Sequence, residues 1–315
     1  MILSVSRRTD IPNYYSDWFF NRIEEGFLYV RNPMNFHQIS EIDISPNVVD
    51  CIVFWTKNPQ PMLENLYKLN EYKYYFQFTL TGYGIDIECN VPHKKEVMIP
   101  IFQKLSKEIG KEKVIWRYDP IIFTNKYTPE YHIKAFEQIA CLLNGYTNKS
   151  VISFVDVYAK NKKNIASLQP YQISHSQLLN FTRKLSEIAI KNGMEIGSCA
   201  ENLDLEQCGI QHNSCIDKKL IEKIIGCSIK AGKDKNQRSE CGCIESVEIG
   251  TYNTCSNGCK YCYANYSEEN VTNNCNKYNP KSPLLCGEVM GDDKVNRRKV
   301  KSLKELQLSI FDLGN

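Results

Sequence analysis

Cys241-Gly-Cys243-Ile-Glu-Ser-Val-Glu-Ile-Gly-Thr-Tyr-Asn-Thr-Cys255-Ser-Asn-Gly-Cys259-Lys-Tyr261-Cys262-Tyr263 is the stretch on which the reading of this chain turns. Cys255, Cys259 and Cys262 stand at C-x-x-x-C-x-x-C spacing, with an aromatic before the third. Three thiolates so spaced can hold three irons of a 4Fe-4S cluster and leave the fourth without a protein ligand, open to a small molecule. Ser256, Asn257 and Gly258 are small and polar, which suits a loop that wraps closely around inorganic sulfide. Just upstream, Val247, Ile249 and Thr251 alternate and predict a strand that delivers the loop. The competing reading is zinc, but structural zinc favours paired C-x-x-C units and a fourth ligand.

The rest of the chain supplies strands for this one to join. Apolar runs at 2–5, 48–55, 74–80, 114–120, 151–158 and 195–201 each end in polar or charged residues, as strands with functional loops at their C-terminal ends do. Between them lie helical patterns. Trp18, Phe19, Ile23 and Phe27 recur at helical spacing with Gly26 as the stop, and 61–69 can supply another helix. Val97, Met98, Ile101, Phe102, Leu105 and Ile109 form a third face, with Pro100 marking an irregular start. Thr128-Pro129-Glu130 is a helix entry, and Ser174 with Gln177 has capping-box spacing before a helix that Gly193 ends. Residues 27–30 with Arg31-Asn-Pro33 read as a hairpin piece rather than a member of the main sheet. Six or seven strands alternating with helices predict an α/β fold, a parallel sheet with helices outside and the Val247 strand last. If that last strand pairs with the first, the cysteine loop lies beside Ser6-Arg-Arg-Thr-Asp10.

Composition bounds the function classes. With 315 residues and 42% hydrophobic content the chain can bury a sizeable core, and a net charge of +3 neither demands nor excludes a nucleic-acid partner. Of fourteen cysteines, ten fall between 199 and 275, too uneven for a disulfide framework in a chain this long. The N-terminus lacks a signal-type apolar segment and no run reaches membrane-spanning length, so a reducing cytoplasm is the expected compartment and clustered thiols there read as metal or cluster ligands. The expected division is a body over 1–226, a cysteine-rich region over 227–292 that completes it, and a basic tail over 293–315. The stretch 230–243 reads as a loop ordered by its cysteines, and 266–279 as mobile unless Cys275 is used. No H-x-x-x-H pair, nucleophile elbow or P-loop supports hydrolytic or phosphate-cradling chemistry.

A second set, Cys199, Cys215, Cys241 and Cys243, could close a further 4Fe-4S cluster with four thiolates, against zinc or free buried thiols as the plain reading and Cys208 as a competing ligand. Cys51, Cys89, Cys141 and Cys227 read as ordinary thiols, and Cys275 and Cys286 are open. Charged residues at strand exits come next: Arg7, Arg8, Asp10, Lys57, Arg117 and Asp119, each alone as compatible with a structural ion pair as with a ligand site. Arg117 and Asp119 are the first choices for catalysis, because Trp116-Arg-Tyr-Asp-Pro120 sets two charges and a chain-turning proline at an apolar strand end.

The Cys255, Cys259, Cys262 motif resembles that of the radical S-adenosylmethionine (SAM) enzymes. The resemblance implies a TIM-like (β/α) partial barrel and a cluster whose open iron chelates SAM. It also implies an external electron donor of ferredoxin or flavodoxin type, and one-electron cleavage of SAM to a 5'-deoxyadenosyl radical that abstracts hydrogen from an unknown substrate. On that likeness Tyr261 packs near the adenine, while Arg7, Arg8, Lys57 and Asp10 are candidates for the SAM carboxylate and ribose. The motif usually sits on the first barrel strand and here follows the last, which implies a circular permutation. With Ser6-Arg-Arg-Thr-Asp-Ile-Pro12 and Phe54-Trp-Thr-Lys-Asn-Pro59, the whole chain also resembles a bacterial family whose domain has no assigned function. Gln307-Leu-Ser-Ile-Phe311 is similar to the tail peptides with which bacterial polymerases and repair proteins bind the DNA sliding clamp, though a segment packing on its own domain is the favoured reading of so short a motif. That tail, with the radical SAM photoproduct lyases as a distant analogy, makes a nucleic-acid component one substrate candidate. The rivals are a non-catalytic iron-sulfur or zinc protein that binds nucleic acid or a partner, and an electron-transfer protein.

Overall fold

The computed structural model describes residues 1–201 and 203–305. The clamp-like pentapeptide from Gln307 lies outside the described residues. In chain order the elements are β1 (Ile2–Val5), α1 (Ile11–Tyr14), α2 (Ser16–Glu25), β2 (Phe27–Arg31), β3 (Gln38–Asp43), β4 (Cys51–Thr56), α3 (Gln60–Leu63), β5 (Tyr74–Thr79), α4 (Ile99–Ile109) and β6 (Val114–Ile121). There follow α5 (Pro129–Leu143), β7 (Lys149–Phe154), α6 (Lys162–Ser167), α7 (His175–Lys191), β8 (Glu195–Cys199), β9 (Gln211–Asn213), α8 (Lys218–Ile225), β10 (Val247–Glu248), α9 (Glu268–Cys275) and β11 (Lys294–Arg297).

Eight strands form one parallel sheet in the order β10-β1-β4-β5-β6-β7-β8-β9. The sheet is open: among the described residues its edges β10 and β9 do not pair, so the α/β class holds and no barrel closes. β9 has three residues, too few for an alternating pattern, which is why periodicity misses it. β2 and β3 make the expected hairpin, and β11, inside the stretch read as a basic tail, pairs with β3. Residues 266–279, read as mobile, contain α9, whose N-cap Ser267 accepts from the Asn270 N–H.

The sheet separates two environments. On one face, Val5, Phe54, Phe76, Phe78, Trp116 and Ile152 pack with residues of α2, α4, α5 and α7 in the main core. Phe54 stacks on Phe76 and Trp116 on Phe136, each with ring centroids 4.6 Å apart, and every such fully buried aromatic contributes about 1.5–3 kcal/mol. On the other face, Ile2, Val53, Tyr75, Ile115 and Val151 pack with Ile216, Ile221 and the cysteines at 215, 241 and 243. The helices carry the expected signals, with Thr128 capping α5 and a full Ser174–Gln177 capping box on α7.

The last sheet strand does pair with the first, Leu3 opposite Val247 and Ser4 opposite Glu248. Just beyond this pair the chains approach so closely that a Cβ on Gly250 would stand 1.8 Å from Ser6 Oγ and 2.6 Å from Ser6 Cβ. Gly250→Ala should therefore destabilise the protein by about 1–3 kcal/mol, as overpacking does. Adding Ser6→Gly, which removes both clashing atoms, should restore part of the loss. Urea unfolding of the two variants checks this, and an unaltered midpoint in the single variant would contradict the close approach.

Candidate functional site

At the C-terminal ends of the sheet strands lies a cavity of about 1080 Å³. Every charged and cysteine residue singled out in the sequence lines it: Arg7, Arg8, Asp10, Lys57, Arg117 and Asp119, the motif cysteines with Tyr261, and Cys199, Cys215, Cys241 and Cys243. They come from the loops that leave β1 and β4, from β6 and β8, and from the loops after β9, α8 and β10, because parallel strands send their C-terminal ends to one side.

The motif loop is held from three directions. Asn257 donates from Nδ2 to Asp10 (3.0 Å), accepts from Tyr14 Oη (3.1 Å), and its carbonyl accepts from the Asn90 N–H (3.1 Å). Tyr15 Oη donates to the Thr254 carbonyl, and Asn265 Nδ2 to that of Cys255. Gly258 adopts φ of +64°, and a Cβ there would press on Cys89 and Asn90 at 3.3 Å, so glycine is what the turn accepts. Cys255 is buried and Cys259 and Cys262 are half-buried. Burial raises the pKa of all three, that of Cys259 to about 12 even with Lys57 nearby to favour its thiolate. Thiols so placed ionise readily only when a cation joins them.

Asp10 is a structural hub. Its carboxylate accepts from Thr56 Oγ1 (2.6 Å), the Lys57 N–H (2.8 Å), Asn257 Nδ2 and the Asn13 N–H (3.2 Å), tying β1, β4 and the motif loop together. Burial raises its pKa against the pull of these donors. Lys57 turns instead to Glu88, 2.7 Å from its Nζ, and lies 5.5 Å from the centre of the Tyr261 ring. Glu88 also takes hydrogen bonds from Lys94 and Tyr261 Oη. Although burial alone would raise it, the two ammonium groups hold the Glu88 pKa down at about 2. Arg7 packs over Trp55 and Arg8 over Tyr252, with Arg7 Nη2 buried and without a hydrogen-bond partner among the described residues.

The other four cysteines line the same cavity. Cys199 and Cys215 sulfurs are 3.1 Å apart, and the Ile216 N–H, next in the chain to Cys215, donates to Cys243 Sγ at 3.3 Å. Hydrogen bonds from Cys199 and Cys243, then Arg117 and Arg7, hold the Cys215 pKa well below the ordinary thiol value. Arg117 reaches Cys215 Sγ at 2.7 Å and pairs with Asp119 through Nε and Nη2. Burial works against the Arg117 charge, but Asp119 and the neighbouring cysteines raise its pKa well above the usual guanidinium value. Cys208 lies apart and bonds to the Leu179 carbonyl. Cys275 and Cys286 meet at Tyr15 Oη, behind the motif loop, at 3.4 and 3.9 Å.

Sequence reasoning missed Glu88, Lys94, Tyr75 and Gln77. Glu88 sits in a loop between β5 and α4, where no motif marks it, and Gln77 is an amide between two phenylalanines of a largely aromatic strand. An unexplained polar residue in a doubly buried strand was the available signal. Tyr263, directly after the motif, donates to the Arg7 carbonyl at 2.9 Å and joins the loop to the exit of β1.

Comparison with curated proteins finds no match. Among solved structures, the crystal structure of a putative alpha-L-fucosidase from Bacteroides thetaiotaomicron VPI-5482 is 15% identical, over 56% of this chain and 72% of that one, with a TM-score of 0.23. Likeness at that level carries no argument about the site. Residues 2–264 match the family described as a domain of unknown function, DUF1848, and the chain belongs to that family.

Proposed function

We propose that this protein is a radical SAM enzyme, with a SAM-binding 4Fe-4S cluster on Cys255, Cys259 and Cys262 and a second 4Fe-4S cluster on Cys199, Cys215, Cys241 and Cys243. The observation that carries the reading is the sharing of one cavity by a three-thiol loop and a separate four-thiol set. The division favours one cluster with an open iron and one that is fully ligated. Zinc is the weaker fit. About 2.3 Å from a single zinc ion, tetrahedral thiolates stand about 3.8 Å from one another. Among the described residues, the group of three His, Cys, Asp or Glu whose ligand atoms all lie within 4.8 Å of one another is His37, Asp292 and Asp293, none of which lines the cavity. A four-iron cube spreads its thiolates more widely than one ion does, which suits the motif cysteines, whereas Cys199 and Cys215, 3.1 Å apart, must separate to hold either group.

When bound, the first cluster would supply the electron that cleaves SAM to a 5'-deoxyadenosyl radical, a donor of ferredoxin or flavodoxin type being its source. The chain's own part is to bind, orient and exclude water. Asp10 and Asn257 hold the loop, and Glu88 holds Lys57 and Tyr261 against it, so the cations and the ring that face the cofactor are fixed before it arrives. Arg7 lines the cavity, and a turn of its guanidinium would present it to an anionic group there, the SAM carboxylate being one such group. The partial barrel and its permutation belong to the same proposal, which the pairing of β10 with β1 supports.

After anaerobic reconstitution with iron and sulfide, SAM and dithionite should yield 5'-deoxyadenosine, detected by chromatography, and Cys259→Ala should yield none. A loaded protein that neither binds nor cleaves SAM would leave the structural or electron-transfer reading in its place. Glu88→Gln strands two lysines around a neutral amide and should cost about 3 kcal/mol in urea unfolding. Because the folded Glu88 pKa lies below its ordinary value of 4.5, its contribution is present above that pH and lost as pH falls toward about 2. The gap between wild type and Glu88→Gln should therefore narrow between about pH 6 and about pH 3, and a constant gap would count against the role of the carboxylate.

A further inference from the structure

Strands β5 and β6 lie in the middle of the sheet, where both faces are covered and apolar side chains are the rule. On the face that carries Val53, Ile115 and Val151, three polar side chains break that rule: Tyr75 is fully buried, Gln77 is 2% exposed and Arg117 is 5% exposed. Burying such groups costs several kcal/mol unless partners satisfy them, so their partners state what they are for. All three converge on one residue. Tyr75 Oη and Gln77 Nε2 donate to the Cys215 carbonyl at 2.7 and 2.9 Å, and Arg117 Nη1 donates to the Cys215 sulfur at 2.7 Å.

A neutral thiol is a weak acceptor and offsets little of the cost of a buried guanidinium. A thiolate, free or ligating a cluster, offsets far more of it. The other Arg117 contacts occupy the rest of the fork, since Nε and Nη2 go to Asp119, and Nη1 also faces Gln77 Oε1 at 3.4 Å. Asp119 offsets part of the positive charge and aims the free edge of the fork at the sulfur.

On the two-cluster reading above, we infer that Arg117 is a positioning residue of the four-cysteine site. It fixes Cys215 and, by donating to its sulfur, makes the second cluster easier to reduce. This assigns it a part distinct from direct contact with substrate. Reduction adds negative charge to the cluster, and a hydrogen bond or cation at a ligating sulfur favours the more negative state. Asp119 tempers the effect, so the two residues act on the potential with opposite signs.

The test isolates the second site in a full-length Cys255→Ala, Cys259→Ala, Cys262→Ala protein, reconstituted anaerobically and assayed for iron and sulfide. An EPR-monitored redox titration then compares it with the same protein carrying Arg117→Gln or Asp119→Asn. Arg117→Gln should lower the midpoint potential so that the ratio of reduced to oxidised cluster at a fixed poise falls at least tenfold, about 59 mV for a one-electron couple. Asp119→Asn should raise it. A loaded cluster whose potential is unmoved by Arg117→Gln, or moved the same way by both changes, overturns the assignment. Should Arg117→Gln fail to hold its cluster, Asp119→Asn decides, and an unmoved or lowered potential there overturns it. A parent variant that takes up no iron and sulfide refutes the second cluster and this role with it, a failure separable from that of SAM cleavage, which depends on the other three cysteines.

Discussion

Everything at the cavity depends on a parallel pairing between strands almost a whole chain apart. β10 adds only two residues to the sheet, yet Leu3 opposite Val247 and the Ser4 hydroxyl on Glu248, 244 residues away, determine where the cysteine loop lies. So short a strand has little pairing energy of its own. The neighbouring contacts supplement it: Glu248 also accepts from the Arg7 N–H, Gly250 allows the close approach to Ser6, and Asp10 reaches across to Asn257. Bringing distant segments together costs loop-closure entropy that grows only slowly with separation, so a few buried hydrogen bonds together with apolar burial can offset it.

The same cross-linking explains why so many charges can be buried at one end of the sheet. Glu88 lies between two lysines, Arg117 between Asp119 and a thiol, and Asp10 among four donors. Lys57 from the exit of β4 meets Glu88, Arg117 of β6 meets Cys215 as well as Asp119 on its own strand, and Asp10 meets Thr56 and Asn257, so satisfying these groups also ties the elements together. The motif cysteines are the exception. Their protonated thiols are stable where they are, and the cost of ionising them is the part that iron would meet.

Sequence alone determined the local parts. The α/β class, the hairpin at β2 and β3, the caps of α5 and α7, and the polar exits of the strands were legible because each depends on residues a few positions apart. The spacing of Cys255, Cys259 and Cys262 was legible for the same reason. What only the tertiary structure decided was which dispersed residues meet: that Cys199, Cys215, Cys241 and Cys243 line one cavity while Cys208 turns to Leu179, that Asp10 is a hub and that Lys57 belongs to Glu88. It also decided that β9 and β11 exist, since strands of three and four residues draw their stability from neighbours rather than from their own pattern. The physical reason is that periodicity and capping are short-range, whereas charge pairing and thiol proximity are properties of positions in space. For these residues, that proximity arises only when the parallel sheet brings the ends of its strands to one side.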